Sequence, residues 1–246
     1  PEPSTSINYK LALSLMRQSS LSAALGERVD AVRALQDAEK IATGLTEKDP
    51  SNNQWQSRLL QSQGRLIELE LSSANVSEKL AELDEILRKL SKLHDLDPTN
   101  TFLSYLAVKF KLVRTGYLVE AKRDTEALAS TDLALAEMEP LYQKAKNDNV
   151  ILGFFAEGLL IRADLTRNVS GEEAARSFCR RAAGLLQEVT TSTYDHILLA
   201  SAVKASLCIG DGVSAKVNNA KLQRMGYRDS RYLNFISTHP LMKGKL

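Results

Sequence analysis

Apolar residues along this chain recur at helical spacing, in runs that come in pairs. The run "LALSLMRQSSLSAAL" closes at Gly26, and a second follows with Ala31, Leu35, Ala38, Ala42 and Leu45 on one stripe. After the break "SSANVS", residues Leu80, Leu83, Leu87, Leu90 and Leu93 step by three or four, the pattern of an amphipathic helix. The pairs are also punctuated alike: "DPSNNQW" opens at 49 and "DPTN" at 97. Proline lacks an N–H and disfavours helix in the residue before it, so Asp49-Pro50 and Asp97-Pro98 predict helix ends. Ser51, Asn52, Thr99 and Asn100 then supply caps for the next helix.

Laid out from these stops, the chain divides into five blocks beginning near Thr5, Asn53, Thr101, Val150 and Asp195. That period of about 45–49 residues lies in the range of helical arrays. The third position of each block is large and apolar: Ile7, Trp55, Leu103, Leu152 and Ile197. Four residues on stand Leu11, Leu59, Ala107, Ala156 and Ser201, mostly apolar or small, on the same helical face. In the fourth block the turn is "NVSGEE", where Ser170 and Glu173 have capping-box spacing. In the fifth it is "GDG", with Ala215, Leu222 and Met225 beyond. The third block, around Gly116, offers no strong stop. A lone pair of amphipathic helices leaves its apolar stripe uncovered, so the pattern predicts hairpins stacked on one another.

The stretch "DPSNNQWQSRLLQSQGRLIELEL…LAELDEILRKLSKLHDLDPTN" resembles the tetratricopeptide-repeat superfamily, in particular bacterial arrays with lengthened helices. Trp55 matches the large residue early in the family's first helix, Gly210 and Ala215 its turn glycine and second-helix alanine, and Pro50 and Pro98 its closing proline. The period here exceeds the family's usual one, Gly64 falls later than its small-residue position, and blocks three and four lack the closing proline. The tail "LQRMGYRDSRYLNFISTHP" is similar to the closing segment of arrays appended to bacterial membrane-anchored kinases or regulators. The resemblance implies an all-α, right-handed superhelix of about five antiparallel helix pairs plus a short terminal helix. It also implies a concave groove lined by the first helix of each pair, with Asn8, Gln56, Gln63, Ser104, Lys111 and Glu157 among the lining.

Composition adds little to this picture. Glycine (12) and proline (6) are scarce, hydrophobic residues make up 43% and charged residues 25%, as in ordinary soluble, helix-rich chains. A formal charge of +2 implies no global attraction to nucleic acid or membrane. The longest apolar stretch, 150–161, is interrupted by Glu157 and too short to span a bilayer. The opening "PEPSTS" has no methionine and no signal pattern, and reads as a linker in a trimmed piece of a larger protein. Two cysteines, Cys179 and Cys208, are too few for a disulfide framework or a zinc site, and are expected as two buried thiols.

Searches for chemistry return little. His94, His196 and His239 are far apart, and no H-E-x-x-H, C-x-x-C pair, P-loop or G-x-S-x-G occurs. "HDLD" at 94–97 groups possible ligands, but at a predicted helix end where histidine favours the dipole. "GDGVSA" at 210–215 has the letters of a dinucleotide turn, without the preceding strand that turn requires. Cys179 lies near Arg176, Arg180 and Arg181, yet shares a stripe with Ala175, Ala182 and Leu186. Asp84 and Glu85 read as solvated partners of Arg88 and Lys89. "NVS" at 75–77 and 168–170 reads as a turn before a capped helix. From Lys216 to the end, seven basic residues face one acid, which could meet an acidic partner, anionic lipid or phosphate, but reads better as a solvated cap on the last helix.

The sequence therefore predicts a linker (1–6), a helical-repeat domain (7–240) and a basic tail (241–246). Its expected role is a non-catalytic scaffold that binds a protein or peptide, with no cofactor, no metal, no nucleic acid and no membrane insertion of this segment. The rival expectation is a sensory domain of a larger bacterial signalling protein, on either side of the membrane with a lean to the extracytoplasmic side.

Overall fold

The computed structural model describes residues 4–70 and 75–242. Among them are eleven α-helices and no strand. They are α1 (Thr5–Ala24), α2 (Arg28–Lys48), α3 (Asn53–Leu69), α4 (Val76–Leu96), α5 (Thr101–Glu120), α6 (Asp124–Lys144), α7 (Asn149–Ser170), α8 (Glu172–Gln187), α9 (His196–Cys208), α10 (Gly212–Arg224) and α11 (Ser230–Thr238). The chain divides into two compact units, Pro1–Arg123 and Asp124–Leu246. Within each unit, helices adjacent in sequence pack on one another in series.

The block boundaries hold to within a residue. Odd-numbered helices α1 to α9 begin at Thr5, Asn53, Thr101, Asn149 and His196, steps of 48, 48, 48 and 47 residues. The residue before each is Ser4, Asn52, Asn100, Asp148 or Asp195, short polar side chains suited to the orphan N–H groups of the first turn. The Asn100 side chain, expected as a cap, makes no such bond and donates to Asp97 instead. Asn52 Oδ1 accepts from the Trp55 N–H at 3.1 Å, and Asp148 and Asp195 each take two such N–H groups. Even-numbered helices α2 to α8 begin at Arg28, Val76, Asp124 and Glu172, also 48 apart. Helix α1 begins at Thr5, inside the stretch 1–6 read as a linker.

Turns explain where the sequence was silent. After α1 the N–H of Gly26 bonds Ala23 O and that of Glu27 bonds Ser22 O, a closure that places Gly26 at φ +82°. After α5 the same two bonds are made by Lys122 and Arg123, with Lys122 at φ +57°. A lysine thus occupies the position a glycine takes elsewhere, so no stop is visible in the third block; Gly116 lies inside α5. The break before α4 falls partly outside the described residues. In the fourth block Ser170 is the last residue of α7 and not a cap; Gly171, at φ +86°, makes the corner, so neither the capping box nor the second "NVS" turn forms.

In the first unit the α2 stripe from Ala31 to Leu45 is buried, and on α4 Ile86 takes the core place expected of Leu87. Gly64 of α3 lets the buried Phe110 ring of α5 lie against its backbone, where a Cβ would stand 2.2 Å from Phe110 Cζ. The buried Tyr117 hydroxyl donates to Ile67 O at 2.7 Å, tying α5 to α3. The outer flank of α1 is uncovered: Ile7 is 58% exposed, whereas its counterpart Leu103 is 2% exposed.

In the second unit α7 is buried on most of its surface and packs on the Ala175, Cys179, Ala182 and Leu186 stripe of α8. The cysteines are not free thiols: Cys179 and Cys208 are bonded, with Cα atoms 5.6 Å apart. Burial was foreseen for Cys179, but the pairing depends on α8 and α9 crossing, which spacing alone does not encode. At the end of the unit, α11 closes the core formed by Leu199, Val203, Ala215 and Leu222 with Tyr232, whose hydroxyl donates to Asn219 Oδ1 at 2.8 Å.

Candidate functional site

In the first unit the odd-numbered helices present a surface organised around Arg58 of α3. Its Nε donates to the Tyr9 hydroxyl of α1 at 3.4 Å, its Nη1 to Gln61 Oε1 at 3.0 Å, and its guanidinium lies 4.0 Å from the Phe102 ring centroid of α5. One cation thus spans three helices, and stacking on an aromatic face suits its planar group. Two turns along α3, Arg65 Nη1 donates to Ser20 Oγ at 2.6 Å and to Met16 O at 3.4 Å, both on α1. Lys109 of α5 also pairs with Glu68 of α3 at 2.8 Å, both side chains mostly covered.

The expected groove residues on α3 lie on a different face: Gln56 and Gln63 each precede Arg58 and Arg65 by two residues, about 200° round the helix from them. Asn8, Gln56 and Ser104 are each the fourth residue of their helix, α1, α3 and α5, and all three are half-buried. Gln63 and Lys111 follow two turns on from Gln56 and Ser104, on the same helical faces. Two carboxamides already serve the fold: Gln56 Nε2 donates to Pro50 O, and Gln63 Nε2 to Glu39 Oε1 of α2 at 3.1 Å. Glu157 belongs to the second unit, where it is half-buried on α7. Burial pushes the Tyr227 phenol above its ordinary value, with Asp229 and then Glu157 adding to it. His196 packs at a tilt against the Tyr227 ring, centroids 5.6 Å apart.

The second unit also carries an open groove of about 700 Å³ between α8, α9 and α10. Ala183, Gly184, Ala202 and Ala205 keep its walls low, and Val213 and Val217 border it. Lys221 spans one end, its Nζ donating to Thr190 O at 2.6 Å and Thr191 O at 3.3 Å. At the other end Asp211 caps α10 through the N–H groups of Val213 and Ser214. The Ser214 hydroxyl, then those N–H groups, hold the Asp211 carboxyl below the usual carboxylate range.

Sequence reasoning missed the Arg58 cluster and two ion pairs, Arg114–Asp84 and Arg162–Asp132. The second pair was detectable, since both of its residues stand 48 places beyond those of the first. Among the described residues no group of three His, Cys, Asp or Glu side chains is placed to hold a metal ion, and no helix is long and apolar enough to cross a membrane. No protein-family model, no curated protein and no solved structure matches this chain.

Proposed function

We propose that the chain is a non-catalytic interaction module of the tetratricopeptide-repeat type, its hairpins stacked as a right-handed superhelix that holds an extended peptide or partner segment along its odd-numbered helices. The observation that supports this most is the shared register of Asn8, Gln56 and Ser104, one half-buried polar side chain at the same place on each of α1, α3 and α5. Polar groups repeated along a fixed scaffold suit the repeated amides of an extended chain, and a rigid frame limits the entropy lost on binding. The reading is tested with a displayed library of random peptides. Selected peptides are expected to bind the Gln56→Ala/Gln63→Ala/Lys111→Ala triple variant at least tenfold more weakly, at unchanged helical content. Undiminished binding would sink it. Glu157→Ala, in the other unit, is tested separately.

The Cys179–Cys208 bond favours a second reading, a sensory domain of a larger signalling protein that faces an oxidising compartment, where structural disulfides persist. Thiol trapping in the cell of origin discriminates: a fully oxidised pair supports this reading and a reduced pair counts against it.

A further inference from the structure

The disulfide ties α8 to α9, and its two ends are unequal. Cys179 is fully buried against Ala163 and Ala175, whereas Cys208 is half-buried and borders two cavities of about 370 and 360 Å³. Arg167, near the end of α7, directs Nη2 at both sulfurs, 3.2 Å from Cys208 Sγ and 3.8 Å from Cys179 Sγ. Its Nε donates to Glu172 at 2.7 Å and its Nη1 pairs with Asp164, so the guanidinium is held in place. A disulfide sulfur is a weak acceptor, but a thiolate beside a fixed guanidinium is strongly stabilised. Arg167 therefore stabilises a thiolate released on cleavage more than it stabilises the intact disulfide.

The two cavities around Cys208 are cationic on balance. Arg167, Arg176, Arg180 and Lys204 line them, against Asp164 and Glu172, with Arg176 also paired to Glu173. Arg180 and Lys204 have no carboxylate partner among the described residues. An incoming thiol that carries carboxylates is attracted there, and an aminothiol is repelled.

We propose that Cys179–Cys208 is a thiol–disulfide exchange site for an anionic low-molecular-weight thiol, attacked at Cys208. The incoming thiolate sulfur bonds to Cys208 Sγ as the Sγ–Sγ bond breaks. The bonding electron pair leaves on Cys179 Sγ, which becomes a thiolate held by Arg167; a lower-pKa leaving thiol speeds this step. A second thiolate then attacks the added sulfur, freeing Cys208 as a thiolate and the small thiol as its symmetrical disulfide. Two small thiols thus supply the two electrons, and α8 is untied from α9.

The test uses the intact chain with glutathione and with cysteamine, rates normalised to thiolate fraction. The expected result is a glutathione adduct on Cys208 alone, formed at least tenfold faster than the cysteamine adduct, with helical circular dichroism unchanged. Adducts on Cys179, equal rates with the two thiols, or modification only after helical signal is lost would overturn the proposal. In Cys208→Ser, the Cys179 thiolate followed by ultraviolet absorbance is expected to fall about tenfold at neutral pH when Arg167→Gln is added. An unchanged thiolate fraction would refute the role of Arg167. Should Arg167→Gln fail to fold, the adduct map and the two-thiol comparison on the unmodified chain still decide.

Discussion

Arg114 of α5 holds Asp84 of α4 at 2.6 Å, and the same pair, displaced 48 residues along the chain, recurs as Arg162 of α7 and Asp132 of α6 at 2.5 Å. In each case the arginine is mostly covered and the aspartate mostly exposed. The pair links α4 to α5 in the first unit and α6 to α7 in the second. Double-mutant cycles with alanine at each pair are expected to give similar coupling energies of about 0.5 kcal/mol, falling as salt is raised. A coupling of opposite sign at the two sites, followed by urea denaturation, would show that they are not equivalent.

Gly64 should not tolerate a methyl group. In an exposed helix Gly→Ala stabilises by about 1 kcal/mol. Here the Phe110 ring fills the space, and overpacking a core costs about 1–3 kcal/mol. Gly64→Ala is expected to lower stability by about 1 kcal/mol net, and Gly64→Ala/Phe110→Leu to recover part of it. A rise in the urea midpoint of the single variant would show that the contact is slack.

Lys122 should welcome the opposite change. A non-glycine residue at φ +57° is strained by its Cβ, whereas glycine adopts that conformation freely. Lys122→Gly is expected to raise stability by about 0.5–1 kcal/mol, the relief of strain exceeding the extra freedom of the unfolded chain. Thermal denaturation of the two proteins checks it.

Asp211 gives the second unit an acid-sensitive helix start. Its carboxyl is held below the usual range in the folded chain, chiefly by Ser214. A depressed folded value means the stabilisation is complete above the unfolded value of about 4 and is lost as pH falls through the folded one. Asp211→Ala is expected to cost about 1 kcal/mol at neutral pH, and the gap to the unmodified chain to shrink at pH ~3. Asp211→Asn, which keeps a capping oxygen, should cost less. A gap that stays constant between the two pH values would remove the charge from the account.

What could be read from the letters was whatever local chemistry decides. Asn52, Asp148 and Asp195 cap because of what they are, and the Asp-Pro stops end helices whatever surrounds them. Partnership across helices was hidden. Asp84 and Glu85 look alike in sequence, yet Glu85 pairs within its own helix, with Arg88 and Lys89, while Asp84 reaches α5. The need for glycine at 64 comes from a ring on another helix, and the union of Cys179 with Cys208 from the crossing of α8 and α9. The groove positions were placed by register alone, so their helices and turns could be foreseen but not the partners, such as Glu39, that their side chains find.

The same residue, asparagine, stands before both α3 and α5, and at Asn52 its side chain caps the helix. Excising 53–100 would splice Asn52 directly onto Thr101, leaving a capping side chain at the head of a helix whose third residue is again large and apolar. A whole hairpin is thus a cassette whose removal leaves the grammar at the seam intact, and the chain can shorten or lengthen by such cassettes without inventing a new joint.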